Sequence, residues 1–197
     1  NFFDQNYKGV FMNETINTIL ARRSVRKYSD EQIKENELDL IIKAGLFAPS
    51  GCNAQPWHFT VVQNKELIKN LNIDAKKELL KAENETFRTL AANEDFDIFY
   101  NAPTIIVISG EKNAPVPQTD CAAATENMLL AAESLNIGTC WIGLVGYLFR
   151  SNNAEKYIKL LKIPQGYEPY YAITLGYKVE ETQQAPPRKE NTVNYIR

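Results

Sequence analysis

The residues best suited to chemistry in this sequence form a short basic segment near the N-terminus. Arg22, Arg23, Arg26 and Lys27 place four cations within six residues, and Ser24 adds a hydroxyl between them. Guanidinium groups form forked, charge-assisted hydrogen bonds to phosphate, so this pattern indicates an anion site. The same cations could instead follow a helix, complement its C-terminal dipole and face water. The residues alone leave both interpretations open.

Two further segments combine stiff or small residues with groups that can bind a planar ligand. The Pro49–Trp57 loop has a proline near each end and the amides of Asn53 and Gln55 between them. It could present these amides to a heterocycle, or be only a helix-to-strand turn with Trp57 in the core. The Gly138–Leu144 run has glycines that permit close backbone approach, but it also fits a helix end leading into a packed strand.

Composition and the remaining motifs exclude several other classes of function. Lys and Arg total 22 and Asp and Glu total 24, so a net charge of −2 gives no global attraction to nucleic acid or an anionic membrane. No GxGxxG, GxxxxGK[ST] or GxSxG motif is present. One histidine, His58, and three scattered cysteines argue against a metal site, a triad or a disulfide framework. No apolar run reaches the ~20 residues of a membrane span, and we expect reduced thiols and a cytoplasmic location.

Hydrophobic periodicity predicts helices that alternate with a few strands. Helices are expected at 13–23, 35–47, 65–90, 119–136 and 154–161, and strands at 57–63, 104–108 and 170–179. Thr119 or Asp120 is the expected N-cap of the fourth helix, Gly138 lies just beyond its end, and Gly176 marks a bulge. That helix is apolar nearly all round, which is typical of burial in the core or between subunits. The pattern favours an α+β or α/β sandwich with a small mixed sheet, followed by an extended arm at 183–197.

Together the three segments resemble one family, the FMN-dependent nitroreductases. The resemblance covers the chain from about Met12 to Lys189 and rests on Arg22–Tyr28, Ala48–Trp57 and Ala123–Gly143, in this order and spacing. It implies an α+β fold, a nitroreductase-like three-layer sandwich whose small, mixed, mainly antiparallel sheet is flanked by helices. It also implies an interlocked homodimer with FMN at the subunit interface.

The resemblance assigns the cationic residues to different parts of the cofactor. Arg22, Arg23 and Ser24 are expected to hold the phosphate and ribityl end of FMN. Arg188 in the tail is expected to reach the same phosphate. Arg26 is expected to approach the pyrimidine edge of the ring, where a cation favours the reduced state.

The other expected cofactor contacts come from the two remaining segments. The loop residues expected to reach the flavin from the partner chain are Pro49, Ser50, Gly51 and Asn53. Ile142 and Gly143 are expected to offer backbone donors to the redox nitrogen of the ring. No side chain is assigned as a general acid or base, and no metal is expected, because the flavin supplies the chemistry.

The implied activity is that of an FMN-dependent oxidoreductase. NADH or NADPH reduces bound FMN by hydride transfer and leaves, and a nitroaromatic, quinone or similar acceptor then takes the electrons in the same place. The alternative is a flavin-binding protein without hydride-transfer turnover, acting as a store, a sensor or a docking module. The expected partners are a second copy of the chain and a small-molecule substrate, with no nucleic acid and no membrane.

The organisation implied is one FMN-binding domain over 12–197 that ends in the C-terminal arm. Residues 1–11 are interpreted as an N-terminal extension or an expression remnant. The segment 71–100 is expected to influence the choice of acceptor. Its aromatic residues could line a substrate lid or pack inside, and we favour packing: Phe87, Phe96, Phe99 and Tyr100.

Overall fold

The structure of the chain, a computed structural model, describes residues 13–180 and 184–197. The N-terminal extension predicted at 1–11 lies outside these described residues. In chain order the described part contains seven helices and four strands, with a 3₁₀ turn at Gly51–Asn53. They are α1 Glu14–Ala21, α2 Glu35–Leu46, β1 Trp57–Val62, α3 Lys65–Leu79, α4 Glu85–Ala92, β2 Thr104–Glu111, α5 Pro117–Ser134, β3 Ile137–Ile142, α6 Gly146–Phe149, α7 Ala154–Leu160 and β4 Tyr167–Tyr177.

The four strands form one open sheet with the order β1-β2-β4-β3, and all three pairings are antiparallel. Strand β2 lies inside the sheet, and all its residues except Glu111 are buried. A parallel backbone bridge between Ser24 and Thr139 extends the edge at β3. The predicted α+β class with a small, mainly antiparallel sheet is confirmed.

Helices cover both faces of the sheet because β2 carries large apolar side chains on each face. Ile105 and Val107 belong to a core cluster with residues of α3, α4, α6 and α7. Ile106 and Ile108 belong to a second cluster with residues of α2 and α5. Trp57 is 7% exposed and lies in the second cluster, as predicted. The result is the predicted three-layer sandwich.

The single helix predicted over 65–90 is wrong, because the chain forms α3 and α4 with a break between them. Oδ1 of Asn84 accepts hydrogen bonds from the backbone amides of Thr86 and Phe87, at 2.9 and 3.4 Å. Asparagine is favoured at such an N-cap and disfavoured inside a helix, so a new helix starts here.

The ends of α5 differ from the prediction. The helix begins at Pro117, which fits the first turn because its missing N–H would have no partner there. Neither Thr119 nor Asp120 is its N-cap, and the carboxylate of Asp120 is instead buried against another loop. After the helix, Asn136 adopts a φ of 57°, and Gly138 is a residue of β3 rather than a helix stop.

The bulge predicted in the last strand lies elsewhere. The register of β4 against β2 shifts between Ile108 and Ser109, which leaves Tyr170 as the extra residue. Gly176 has a different role, because a Cβ there would lie 2.9 Å from a ring carbon of Tyr28. Residues 184–197 are exposed and contain no helix or strand, as expected of an arm.

Candidate functional site

The basic segment leaves α1 and runs beside the edge strand β3. Arg22 is the C-cap of α1, and its extended backbone, with ψ of 132°, ends the helix. Ser24 and Thr139 then form the parallel bridge, and the amide of Val25 donates to the carbonyl of Thr139 at 2.8 Å. This pairing fixes where the arginines emerge relative to the end of β3.

Tyr28 locks the far end of the basic segment into the core. Its hydroxyl donates to the carbonyl of Val25 and lies 2.7 Å from Oγ1 of Thr174. The same Oγ1 accepts a 3.0 Å hydrogen bond from the amide of Cys140 in β3. Burial raises the pKa of Tyr28 well above its ordinary value, so the hydroxyl stays neutral at physiological pH. Hydrogen bonds therefore hold the segment at both ends.

A cavity of about 550 Å³ opens beside this segment. A volume of this size is typical of a pocket for a small molecule or a cofactor. Half of its described lining residues are basic, and the lining combines the segment after α1 with the arm. Among the described residues the lining is Arg22, Arg23, Ser24, Val25, Arg26, Lys27, Glu180, Gln184, Pro186 and Arg188. The fold thus brings five predicted site residues together, one of them from the tail.

The first two arginines of the cavity are held in different ways. Nε of Arg22 lies 3.9 Å from Oε1 of Glu126 on α5. Nη1 of Arg23 donates to the carbonyls of Leu20 and Arg22 at 2.7 and 2.6 Å, so this group complements the C-terminal end of α1. Nε of Arg23 is buried and has no hydrogen-bond partner in the described part of the chain. A buried donor left unpaired is rare and needs a partner that the described residues do not supply.

Arg26 makes a contact that the sequence did not predict. Its Cζ lies 5.7 Å from the centroid of the Tyr100 ring, within the range of a cation–π contact. Burial works against the charge of Arg26, but interactions with Cys140, Tyr100 and Tyr28 outweigh it and raise the pKa. The guanidinium therefore stays charged beside the cavity.

The loop between the two prolines has an unusual backbone. Cys52, Asn53 and Gln55 have φ values of 54°, 56° and 47°, which is the left-handed region. Each such residue other than glycine costs of order 1–3 kcal/mol, so the loop keeps this shape only because its surroundings hold it. Oγ of Ser50 accepts a 3.0 Å hydrogen bond from the amide of Gln55. Oδ1 of Asn53 accepts another from Nε2 of Gln55.

Within one chain, this loop and the basic segment do not share the cavity. The lining contributed by the described residues contains none of Pro49, Ser50, Gly51 and Asn53. Pro49 and Asn53 are exposed instead.

The end of β3 presents its backbone to open space. Ile142 is 3% exposed, and its side chain belongs to the core. Gly143 is exposed, and a Cβ built there meets no atom within 4 Å. Trp141 packs on Tyr171 with the ring centroids 4.4 Å apart. Ile142 and Gly143 lie outside the 550 Å³ cavity as the described residues define it, three and four residues beyond the Thr139 that pairs with Ser24.

Residues 19–177 match the family model described as Nitroreductase family. This chain belongs to the nitroreductase family. The matched range includes the basic segment, the loop and β3, and it ends where β4 ends. The arm that carries Arg188 follows the matched range.

Members of the nitroreductase family resemble the chain over nearly its whole length. A nitroreductase with bound FMN from Bacteroides fragilis NCTC 9343 is 36% identical, with a TM-score of 0.86, over 94% of this chain and 100% of that one. Another with bound FMN, from Desulfitobacterium hafniense DCB-2, is 30% identical, with a TM-score of 0.86, over 95% and 100%. A Bacillus subtilis (strain 168) protein named FMN reductase (NAD(P)H) is 30% identical over 192 residues, 93% of this chain and 74% of that protein.

Two residues beside the site of this nitroreductase-family chain make contacts that their predicted roles did not include, since Tyr100 was expected to pack inside or line a lid and Asp120 to cap a helix. Tyr100 contacts Arg26, and Asp120 accepts a 3.0 Å hydrogen bond from the amide of Gly51. The second contact joins residues 69 positions apart, so no local pattern reveals it. The one available signal was a carboxylate among the apolar residues of α5, which sequence reasoning took as a helix cap.

The described residues of this family member give little support to thiol chemistry or to a metal site. Burial raises the pKa of the Cys140 thiol despite the nearby Arg26, so a reactive thiolate is disfavoured. The described part contains no group of three or more His, Cys, Asp or Glu residues arranged to hold a metal ion. No helix within 13–180 or 184–197 is long and apolar enough to cross a membrane.

Proposed function

We propose that this nitroreductase-family protein is an FMN-dependent oxidoreductase that uses NAD(P)H to reduce a nitroaromatic, a quinone or a similar acceptor. The observation that carries the proposal is the 550 Å³ cavity with four guanidinium groups in its lining. The family match and the relatives with bound FMN supply the nature of the ligand.

The residues present fit FMN in charge and in available donors. The phosphate of FMN carries about −2 at neutral pH, as other phosphomonoesters do, and guanidinium forks compensate such a charge. Arg22, Arg23, Ser24 and Arg188 line one cavity and would hold the phosphate and ribityl end. Nε of Arg23 is a buried donor with no hydrogen-bond partner in the described residues, and a bound phosphate would supply the missing acceptor.

When bound, FMN supplies the hydride exchange between NAD(P)H and the acceptor. The chain supplies position and charge. Arg26 would lie at the pyrimidine edge of the ring and stabilise negative charge there. The backbone of Ile142 and Gly143 would orient the redox nitrogen, which is consistent with the open space beside Gly143. No side chain is needed as a general acid or base.

We also propose that the protein acts as a homodimer. Helix α1 has no buried residue in a single chain, although it carries Ile16, Ile19 and Leu20, which are 41–46% exposed. Phe47 is 78% exposed at the end of α2, and residues of α1, α2 and α5 line a second cavity of about 720 Å³. Unpartnered apolar surface of this kind marks an interaction site. A second copy there would bring its loop, with Pro49, Ser50, Gly51 and Asn53, toward the flavin.

The proposal also includes a single FMN-binding domain over 12–197 and a cytoplasmic location. The two core clusters share the single sheet, which supports one domain. All three cysteines are free thiols, which supports a reducing compartment.

Rapid anaerobic mixing of the FMN-loaded protein with NADH, and separately with NADPH, tests the activity. We expect loss of the visible flavin absorbance, followed by its return when a nitroaromatic or a quinone is added. A fully loaded protein that neither nucleotide bleaches would instead be a flavin-binding protein without hydride-transfer turnover. A protein that retains no flavin would overturn both functions.

A further inference from the structure

The chain makes a strained corner directly before β2. Tyr100 and Asn101 have φ values of 55° and 54°, so two consecutive residues other than glycine adopt the left-handed region. For a bulky residue such as tyrosine this conformation is rare. Each costs of order 1–3 kcal/mol and persists only where the surrounding structure fixes it.

Buried side chains and hydrogen bonds of the residues just before the corner hold it in place. Ile98 and Phe99 are 0% exposed and anchor it in the first core cluster. Oδ1 of Asp97 accepts a 2.7 Å hydrogen bond from the amide of Phe99, and the amide of Tyr100 donates to the Asp97 carbonyl at 3.0 Å. These contacts therefore fix the direction in which the Tyr100 side chain leaves the backbone.

The side chain that the corner presents is the ring on which Arg26 rests. The Tyr100 ring is half-buried, and its centroid lies 5.7 Å from Cζ of Arg26. Phe96 packs edge-on against the same ring at 6.0 Å and 77°, which limits its rotation. A ring fixed in this way is a platform for a cation.

Arg26 has little else to hold it among the described residues. Lys27 pairs with Glu180, and Arg22 approaches Glu126, but no carboxylate in the described part lies within ion-pair distance of Arg26. Its one hydrogen bond to the backbone, to the carbonyl of Ser24, is long at 3.4 Å. The direction of the guanidinium thus depends mainly on Tyr100.

We infer that Tyr100 is a positioning residue, which holds the Arg26 guanidinium where the pyrimidine edge of FMN lies and so favours the reduced cofactor over the oxidised one. The inference rests on the proposed function. Reduced FMN carries more negative charge at this edge, so a fixed cation stabilises it more than oxidised FMN. The strain of the corner is retained because it sets the place of the ring.

The experiment measures the dissociation constants of oxidised and reduced FMN for four variants: Tyr100→Leu, Tyr100→Phe, Arg26→Gln and Tyr147→Leu. Leucine and phenylalanine keep the Cβ, so the backbone strain of the corner is the same in both variants. Tyr147→Leu is the matched control, because Arg150 rests on that ring at 5.4 Å and both residues lie outside the described lining of the cavity. The midpoint potential of each FMN-loaded protein gives a second measurement of the ratio between these two dissociation constants.

Tyr100→Leu should weaken the binding of reduced FMN relative to that of oxidised FMN by about two- to fivefold, as expected for a cation–π contact of about 0.5–1 kcal/mol. Arg26→Gln should shift the ratio in the same direction, and Tyr100→Phe and Tyr147→Leu should leave it close to wild type. If Tyr100→Leu lowers thermal stability but leaves the ratio unchanged while Arg26→Gln shifts it, the inference is wrong and the proposed function stands. If neither variant shifts the ratio, Arg26 does not lie at that edge and the inference also fails. A wild-type protein that binds no FMN would overturn the proposed function itself.

Discussion

The backbone amide of Gly51 donates a 3.0 Å hydrogen bond to Oδ1 of Asp120. Asp120 lies in the first turns of α5 and is 4% exposed, and its Oδ2 is buried with no partner in the described residues. One carboxylate oxygen thus ties the strained loop to the long central helix. Three residues of that loop are in the left-handed region, so the loop needs contacts such as this hydrogen bond to keep its shape.

Asp120→Ala should weaken FMN binding, because the Gly51 amide loses its acceptor and the loop can relax. A buried donor left unpaired costs about 1–3 kcal/mol, which sets the scale of the loss. Asp120→Asn keeps an acceptor oxygen and should bind FMN nearly as tightly as wild type. Fluorescence titration with FMN gives the dissociation constants. Equal affinity in the alanine variant would show that this tie does not shape the flavin site.

Arg22→Ala should reduce the affinity for FMN by roughly tenfold to hundredfold, the equivalent of about 1.5–3 kcal/mol for a hydrogen bond to a charged group. Lys159→Ala is a suitable control, since Lys159 is 75% exposed and pairs with Glu155 on α7, away from the cavity lining. The measurement is the FMN content after dialysis, followed by titration of the apoprotein. Full retention of FMN by the Arg22 variant would contradict its placement at the phosphate.

Local patterns were enough to predict most helices and strands, because these depend on residues that are near in sequence. The continuous apolar run of β2 and the apolar positions of α2 are examples. The break between α3 and α4 was missed because one Asn84 cap decided it, within a segment that is helical in pattern on both sides. The start of α5 was misplaced because Asp120, a good cap by type, is used for a contact with a distant loop.

The predicted site residues that line the cavity follow one another along the chain, except Arg188 in the arm, which the family resemblance supplied. The arginine segment is contiguous, and Arg22, Arg23, Ser24 and Arg26 line one cavity, while their roles toward FMN stay a prediction. The support of Arg26 by Tyr100 could not be predicted, because it depends on a strained corner and a tertiary packing that leave no periodic pattern. Sequence reasoning did favour packing for the four aromatic residues of 71–100. Phe99 is 0% exposed, and the other three are partly buried against the first core cluster: Phe87, Phe96 and Tyr100.

Phe47→Glu should convert a dimer into monomers and reduce FMN content with it. Phe47 is 78% exposed in a single chain, so a charge there costs little within the chain but much in an apolar interface. Leu160→Glu is the control, because Leu160 is 51% exposed on α7, far from α1 and α2 in sequence. Light scattering after gel filtration gives the mass of each variant. A wild-type monomer, or a Phe47→Glu dimer that keeps its flavin, would exclude this face as the interface.

The three thiols should react at very different rates in the native protein. Cys52 is exposed in the strained loop, whereas burial raises the pKa of Cys121 to about 12 and also raises that of Cys140. We expect iodoacetamide to label Cys52 first, and FMN to slow the reaction if the loop covers the flavin in a dimer. Peptide mass spectrometry identifies the labelled sites, with urea-unfolded protein as the reference in which all three react. Early labelling of Cys140 would show that the buried face of β3 opens in the native protein.

Asp74 should make stability depend on pH in the acid range. Hydrogen bonds from Lys77 and Tyr157, at 2.8 and 2.7 Å, hold the pKa of this carboxyl far below its ordinary value. Because the folded pKa is lowered, the stabilisation is present above the unfolded pKa of about 3.9 and is lost as the pH falls below it. Asp74→Asn should therefore be less stable than wild type at neutral pH, and the difference should shrink toward about pH 3. Urea unfolding at one fixed chain concentration measures it, with Asp39→Asn as the matched control, since Asp39 is an exposed residue of α2. A difference that stays constant from neutral to acid pH would contradict the assignment of this charge.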